Sequence, residues 1–341
     1  MANLIAADDR YQYTYAIIIP CITYFIVTTI AKMVMIADGE KTTWVWWGAM
    51  LAIVFLNAYF YIKTVGAASQ KVPPGASRSL QKYMWRMKWL AVPFVFECAW
   101  RSVFPSIYNA RQTLFDTPLN AILVDRSLAA LGEVCWMAQF ALALVYIDKQ
   151  RCQNGHCAIK LSANAIVALA VLGECNSCYS TFTTNALFEV YEAVCWASIG
   201  GLACITGWYT YCGVRGLSTN TALTARNFGL LAGISGLIYF PYMCMSDIPR
   251  YYAIYKSQDP SSFLGFWEGL IDAATTRHPT RQWTNWKDDA MWMTAYFSVA
   301  AWSSILMIHA PRLKIEGEGE KEKEARSKPL LGDIGAGITL V

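Results

Sequence analysis

Glu189 and Glu192 lie three apart in an apolar stretch, Ala186–Gly213, that contains no lysine or arginine. Residues three apart share one face of a helix, so two carboxyls project together with no counter-charge on their own segment. Such a pair can hold a proton, bind a cation or act as a general acid and base. Other polar groups recur in apolar surroundings. Glu97 and Arg101 are four apart, and Arg126 and Glu133 are seven apart. Glu174 and Asn176 share one stretch, Asn185 precedes Glu189, and Asp247 is followed by Arg250. With Asp116 and Asp125 the acids number eight, against four arginines once Arg111 is included. That excess must be met by protons, water or a bound cation. The acids and bases could instead be helix-packing struts, with Asp116 and Asp125 capping the entry to a helix.

Several chemistries are excluded. The last apolar stretch has no lysine to form a retinal Schiff base. The three histidines, His156, His278 and His309, lie in loops or at a stretch's edge, away from where paired haem ligands would sit. There is no phosphate-binding loop, zinc-protease motif or nucleophile elbow. Cys152, His156 and Cys157 share a loop without the second ligand pair that zinc needs. No metal and no cofactor is therefore expected, and a net charge of +4 gives no case for nucleic acid.

The positioning elements follow from composition. The 341 residues are 55% hydrophobic and only 15% charged, where a soluble domain carries about a quarter charged. Lipid is the implied solvent. Eight stretches reach the ~20 apolar residues that cross a bilayer: Tyr13–Ala37, Thr43–Ile62, Trp85–Tyr108, Ile122–Ile147, Leu161–Thr181, Ala186–Gly213, Asn227–Ser246 and Ala290–Ala310. The expectation is an all-α polytopic transmembrane helix bundle of about eight spans. It forms a single domain over 1–310, with a non-cytosolic loop at 248–289 and a disordered cytosolic tail at 311–341. Eight spans put the N-terminus, alternate loops and C-terminal tail on one side. That side holds eighteen of the 28 lysines and arginines, the opposite side seven and the spans three. The positive-inside rule makes the first side, and both termini, cytosolic.

In this topology the charges of the outward-running spans fall late and those of the inward-running spans fall early. The polar residues thus gather toward the non-cytosolic side, above an apolar cytosolic floor such as Ala197–Gly207. Each charge costs about 2.5–3.5 kcal/mol at the bilayer centre, so these groups are expected to face one another. The expected pocket comprises Glu97, Arg101, Arg126, Glu133, Glu174, Asn176, Asn185, Glu189, Glu192 and Asp247.

The stretches Cys98–Pro105, Phe115-Asp116-Thr117, Asp125–Glu133 and Thr183–Trp196, with the closing Trp283, Trp286, Trp292 and Tyr296, resemble an uncharacterised family of polytopic membrane proteins. The resemblance spans roughly 85–310 and implies no activity or catalytic residue.

Together these features predict an integral multi-pass protein of the plasma membrane or an endomembrane. The leading expectation is a transporter for a small cationic or proton-coupled solute. One alternative is an intramembrane enzyme acting on a lipid or isoprenoid by Glu acid/base chemistry, with Trp100, Trp136 and Trp196 stabilising a developing cation. Another is a structural subunit of a membrane complex. The expected partners are the bilayer and a small solute or lipid-like ligand. The tail adds two short candidate signals, a dileucine-type motif at Leu330-Leu331 and a terminal Thr339-Leu340-Val341 suited to a PDZ groove.

Overall fold

The computed structural model describes residues 39–70, 78–151, 155–214 and 220–308. The first expected span, Tyr13–Ala37, and the tail motifs lie outside them. The described chain is helical almost throughout: α1 (Glu40–Gln70), α2 (Arg78–Val103), α3 (Ile122–Arg151), α4 (Cys157–Thr183), α5 (Leu187–Gly213), α6 (Asn220–Tyr242), α7 (Ile248–Ser257), α8 (Phe266–Thr275), α9 (Trp283–Ala295) and α10 (Ala301–Met307). A π turn, Met243–Asp247, joins α6 to α7, and a second, Tyr296–Ala300, joins α9 to α10. Among the described residues, six segments are long and apolar enough to cross a membrane: Glu40–Gly66, Ile122–Lys149, Cys157–Thr183, Leu187–Gly213, Ala225–Ser257 and Trp283–Met307. The chain is an integral, multi-pass helical membrane protein. The expected third span is helix α2, comparable in length and packed between α1 and α3. Its basic first half and its Glu97 and Arg101 make it too charged for composition alone to mark it as a span.

Consecutive long helices pack side by side from α1 to α6, while α9 and α10 return against α1, α2 and α3. Helix α3 is the hub, touching α2, α4, α5, α8 and α10. Its buried Gln139 donates to the carbonyls of Met87 (3.1 Å) and Ser304 (2.9 Å) and accepts from Ser304 Oγ (2.7 Å). Backbone carbonyls inside a membrane bundle have no water to turn to, so one amide bonding both neighbours is a stabilising tie. Trp46 of α1 packs against Trp283 and Trp286 of α9, with ring centroids 6.2 and 5.7 Å apart.

The α5–α6 contact rests on small residues. A Cβ on Gly207 would come within 2.8 Å of the Gly229 carbonyl oxygen, and one on Gly236 within 2.8 Å of Cys204 Cα. Helices in lipid gain little from hydrophobic burial against each other, so close backbone approach supplies the packing.

The connection expected at 248–289 is shorter. Asp247, Pro249 and Arg250 end the apolar run but not the helix, which continues to Ser257, and α9 starts at Trp283. Residues 258–282 cap one end of the bundle. Their helix α8 lies against α3 and α4. The Leu264 amide bonds the Thr183 carbonyl (3.0 Å), and Gln258 donates to the Thr184 carbonyl (2.7 Å) and accepts from the Ala186 amide (3.0 Å). These bonds satisfy groups that the end of α4 and the start of α5 leave open. Two-residue strands extend the cap: β1 (Ser106–Ile107) pairs antiparallel with β2 (Gln112–Thr113), which pairs parallel with β3 (His278–Pro279).

Substituting Gly236 by Leu overpacks a backbone contact and should cost about 1–3 kcal/mol, read as a fall of several degrees in the unfolding temperature in detergent. Gly48→Ala, where a Cβ meets nothing within 4 Å, should produce no such fall. Equal effects from the two would show that the close α5–α6 approach contributes nothing special.

Candidate functional site: a buried carboxylate–arginine cluster

The end of α2, the first half of α3, the second half of α4 and the start of α5 meet beneath the cap. Arg101, buried at the end of α2, is the first centre. Its Nη1 is 2.9 Å from Glu97 Oε1 and 3.9 Å from Glu133 Oε1, and its Nε is 3.1 Å from Asp125 Oδ1. Four aromatic rings enclose the guanidinium: Tyr108, Trp292, Tyr296 and Phe297, with centroids 5.0–5.8 Å from Cζ. The last two belong to the second π turn, so the irregular helix delivers both rings to the arginine. Ser106 donates to the second oxygen of Asp125, and Cys98 Sγ donates to Glu97 Oε2 (3.2 Å).

Arg126 is the second centre, one residue after Asp125. Its Nη2 bonds Glu174 of α4, and its guanidinium lies 5.5 Å from the Tyr108 ring. Tyr108 therefore stands between the two arginines, each 5.5 Å from its ring. Tyr108 lies in the α2–α3 connection, and burial pushes its phenol well above the usual range, partly countered by Arg101. Glu174 also lies beside Glu133, and its other oxygen, Oε1, has no donor among the described residues. Glu192 of α5 is within electrostatic reach of Glu133 and Arg126 and bonds Ser177. At the edge, Asn109 Nδ2 donates to Glu189 Oε1 (2.5 Å), while Glu189 Oε2 has no donor among the described residues.

Seven of the ten expected pocket residues thus meet: Glu97, Arg101, Arg126, Glu133, Glu174, Glu189 and Glu192. The pairing differs from the sequence spacing. Arg126 bonds Glu174 rather than its own-helix neighbour Glu133, which faces Arg101 and Glu174. Asn176, two residues from Glu174 and so turned away from it, donates to its own helix at the Leu172 carbonyl (2.8 Å). Asn185 shapes the α4–α5 turn, its Oδ1 accepting from the Leu187 amide (3.0 Å). Asp247 sits half-buried in the first π turn beside Tyr242 and Arg250. It stands apart from the centre, although Tyr251 is within electrostatic reach of Asp247, Glu189 and Glu192 together.

Asp125 is a partner of Arg101, not a cap: Thr117 caps the short turn before α3 by accepting from Leu119. Asp116 is exposed and bridges Arg277 of the cap (3.2 Å). Spacing pointed to neither Tyr108 nor the Tyr296–Phe297 pair; a tyrosine in a connection and two rings inside a span carry no signal until the chain folds. The tryptophans of the enzyme alternative each have packing partners, and Trp136 packs against the same apolar cluster as Trp196. Trp136 stacks on Phe94 (4.7 Å) and donates to Ser303 (3.0 Å), Trp100 packs on Phe104, and Trp196 lies in the α4–α5 core.

The lid over the cluster is fixed by Arg111. Its φ of +50° is in the left-handed region, a strained backbone for a residue with a side chain. Its carbonyl receives the His278 amide (2.8 Å), and its Nε bonds Asp272 Oδ2 of α8 (2.7 Å). Burial raises the Asp272 carboxyl, but hydrogen bonds from Thr276 and Arg111 outweigh it and hold the group below its ordinary range. Among the described residues no group of three or more His, Cys, Asp and Glu side chains has metal-holding geometry. No protein-family model, curated protein or solved structure matches the chain, so the arrangement is interpreted from its own chemistry.

Replacing Arg111 by Ala removes a charged hydrogen bond worth roughly 1.5–3 kcal/mol. Amide exchange at residues 264–278 should accelerate while exchange in α3 and α4 stays slow. Unchanged exchange in the cap would show that this bridge does not hold it.

Proposed function

We propose that the protein is a transporter for a small cationic or proton-coupled solute, using the buried carboxyls as its coupling site. The observation that carries this reading is a charge imbalance. Five carboxyls (Glu97, Asp125, Glu133, Glu174 and Glu192) converge around two guanidiniums. Pure packing struts would be expected to balance, because unpaired charge in a membrane interior is costly. Arg101 serves Glu97 and Asp125 closely and Glu133 only at 3.9 Å, and Arg126 serves Glu174. Glu133 and Glu192 are thus the least compensated and are the proposed holders of a proton or cation, with Glu189 and Asn109 forming the edge through which these would pass.

The proposed topology has eight spans with both termini cytosolic, supported by eighteen lysines and arginines on that side against seven opposite. In it, the cluster and its cap face away from the cytosol, and passage requires the apolar half of the bundle to open in another state. The glycine-lined α5–α6 contact, at Gly200, Gly207 and Gly236, is suited to such sliding. The enzyme alternative stays open, since Trp136 and Trp196 share helix faces with Glu133 and Glu192.

In proteoliposomes, uptake of an organic or alkali cation from a screened panel should depend on an imposed pH gradient. Glu133→Gln should lower coupled uptake by at least about tenfold, equivalent to roughly 1.4 kcal/mol of barrier, while the variant keeps the wild-type unfolding temperature within a few degrees. Absence of gradient-dependent flux across the panel, or flux indifferent to Glu133→Gln, would contradict the assignment.

A further inference from the structure

We propose that α8 is an interfacial helix, seated in the headgroup–acyl boundary of the leaflet on the cap side and pinning the lid to the bilayer. The inference does not depend on the transport reading. Helix α8 is two-sided. Gly269 and Ala273, four apart, are buried, and Gly269 lies against the Phe182 carbonyl at the end of α4. Trp267 and Ile271, also four apart, are 73% and 63% exposed. A bare tryptophan and isoleucine on one helix face call for an apolar neighbour.

The surroundings identify that neighbour. Trp267 continues a chain of aromatic contacts at the ends of two spans: Phe266 packs on Trp267 (5.2 Å) and on Tyr179 of α4 (5.9 Å), Tyr179 on Phe188 of α5 (4.3 Å), and Phe188 on Tyr191 (5.7 Å). Tyr179 and Tyr191 are themselves exposed. Along the same helices toward the middle of the bundle, the large exposed side chains include Val171, Leu172 and Val194. The cap that follows them exposes Asp259, Ser261 and Glu268. Hydrocarbon side chains toward the middle of the spans, a belt of aromatics at their ends and acids and hydroxyls in the cap are the signature of a bilayer interface. An amphipathic helix with its bare face level with that belt has the headgroup–acyl boundary as its contact.

Glu189 lies between Phe188 and Tyr191 in sequence, so the mouth of the cluster falls at the same depth. The lid therefore has two holds, Arg111–Asp272 toward the protein and Trp267–Ile271 toward lipid.

The test uses the full chain in nanodiscs with fluorotryptophan in place of tryptophan. The Trp267 resonance, one of fourteen, is identified by its loss in Trp267→Phe. Its intensity is then measured with lipid spin-labelled near the headgroup, lipid spin-labelled at the chain end, and a water-soluble gadolinium chelate. The proposal expects the greatest loss of intensity from the shallow lipid label. Greatest loss from the chelate would place α8 in water, greatest loss from the chain-end label would place it in the hydrocarbon interior, and no loss from any probe would mean that protein covers it. Each of these three results overturns the proposal.

Discussion

Two arginines buried between helices set the terms for the rest of the molecule. A guanidinium removed from water into a bundle core is costly unless carboxylates and hydrogen bonds surround it. Here the partners come from different helices: Arg101 of α2 draws on Asp125 and Glu133 of α3, and Arg126 of α3 draws on Glu174 of α4. Each bridge fixes a relative depth and rotation between neighbours, something lipid-facing leucines and valines cannot do. The tie of Gln139 to α2 and α10 fixes α3 farther along its length. The hub helix is thereby held by polar bonds in its first half and near its middle.

The cap follows from the same constraint. A charged cluster near the end of a bundle would be hydrated unless something covered it. Residues 258–282 fold back over it, with the left-handed Arg111 offering its carbonyl to His278 and its side chain to Asp272. The strands are only two residues long, so this cover depends on side-chain bridges and backbone caps more than on a ladder. Such elements belong to the less stable end of a structure's range and are the ones that open first. A lid of this kind over a charge-imbalanced site agrees with the transporter reading, in which protons or cations enter and leave.

Much of this was legible in the sequence. The apolar stretches mark the six described spanning segments, because the cost of polar groups in lipid leaves a strong compositional trace. The convergence of Glu97, Arg101, Arg126, Glu133 and Glu174 was legible for the same reason, since charges set in apolar helices must find one another. The partners were less so. Arg126 and Glu133 share a helical face, yet Glu174 from another helix takes the arginine, a choice made by interhelical rotation that spacing does not encode. Asn176 and Asn185 were placed in the pocket by proximity in sequence, but amides are readily satisfied by nearby backbone, and both are. Tyr108, Tyr296 and Phe297 were invisible as site residues because their roles depend on a connection and a π turn that carry no sequence signature. The helix runs on past Asp247 to Ser257 because polar residues end an apolar stretch without ending a helix.

The most direct test of the central claim is a double-mutant cycle on Arg101 and Asp125, read from equilibrium unfolding in detergent. If the buried guanidinium is what locks α2 to α3, Arg101→Met alone should cost about 3–5 kcal/mol by stranding buried carboxylates. Adding Asp125→Asn should then restore part of the loss, giving a coupling energy above ~1 kcal/mol. Additive losses, or an Arg101→Met protein as stable as wild type, would mean that the two side chains are neighbours without being partners, and the account built on them would fail.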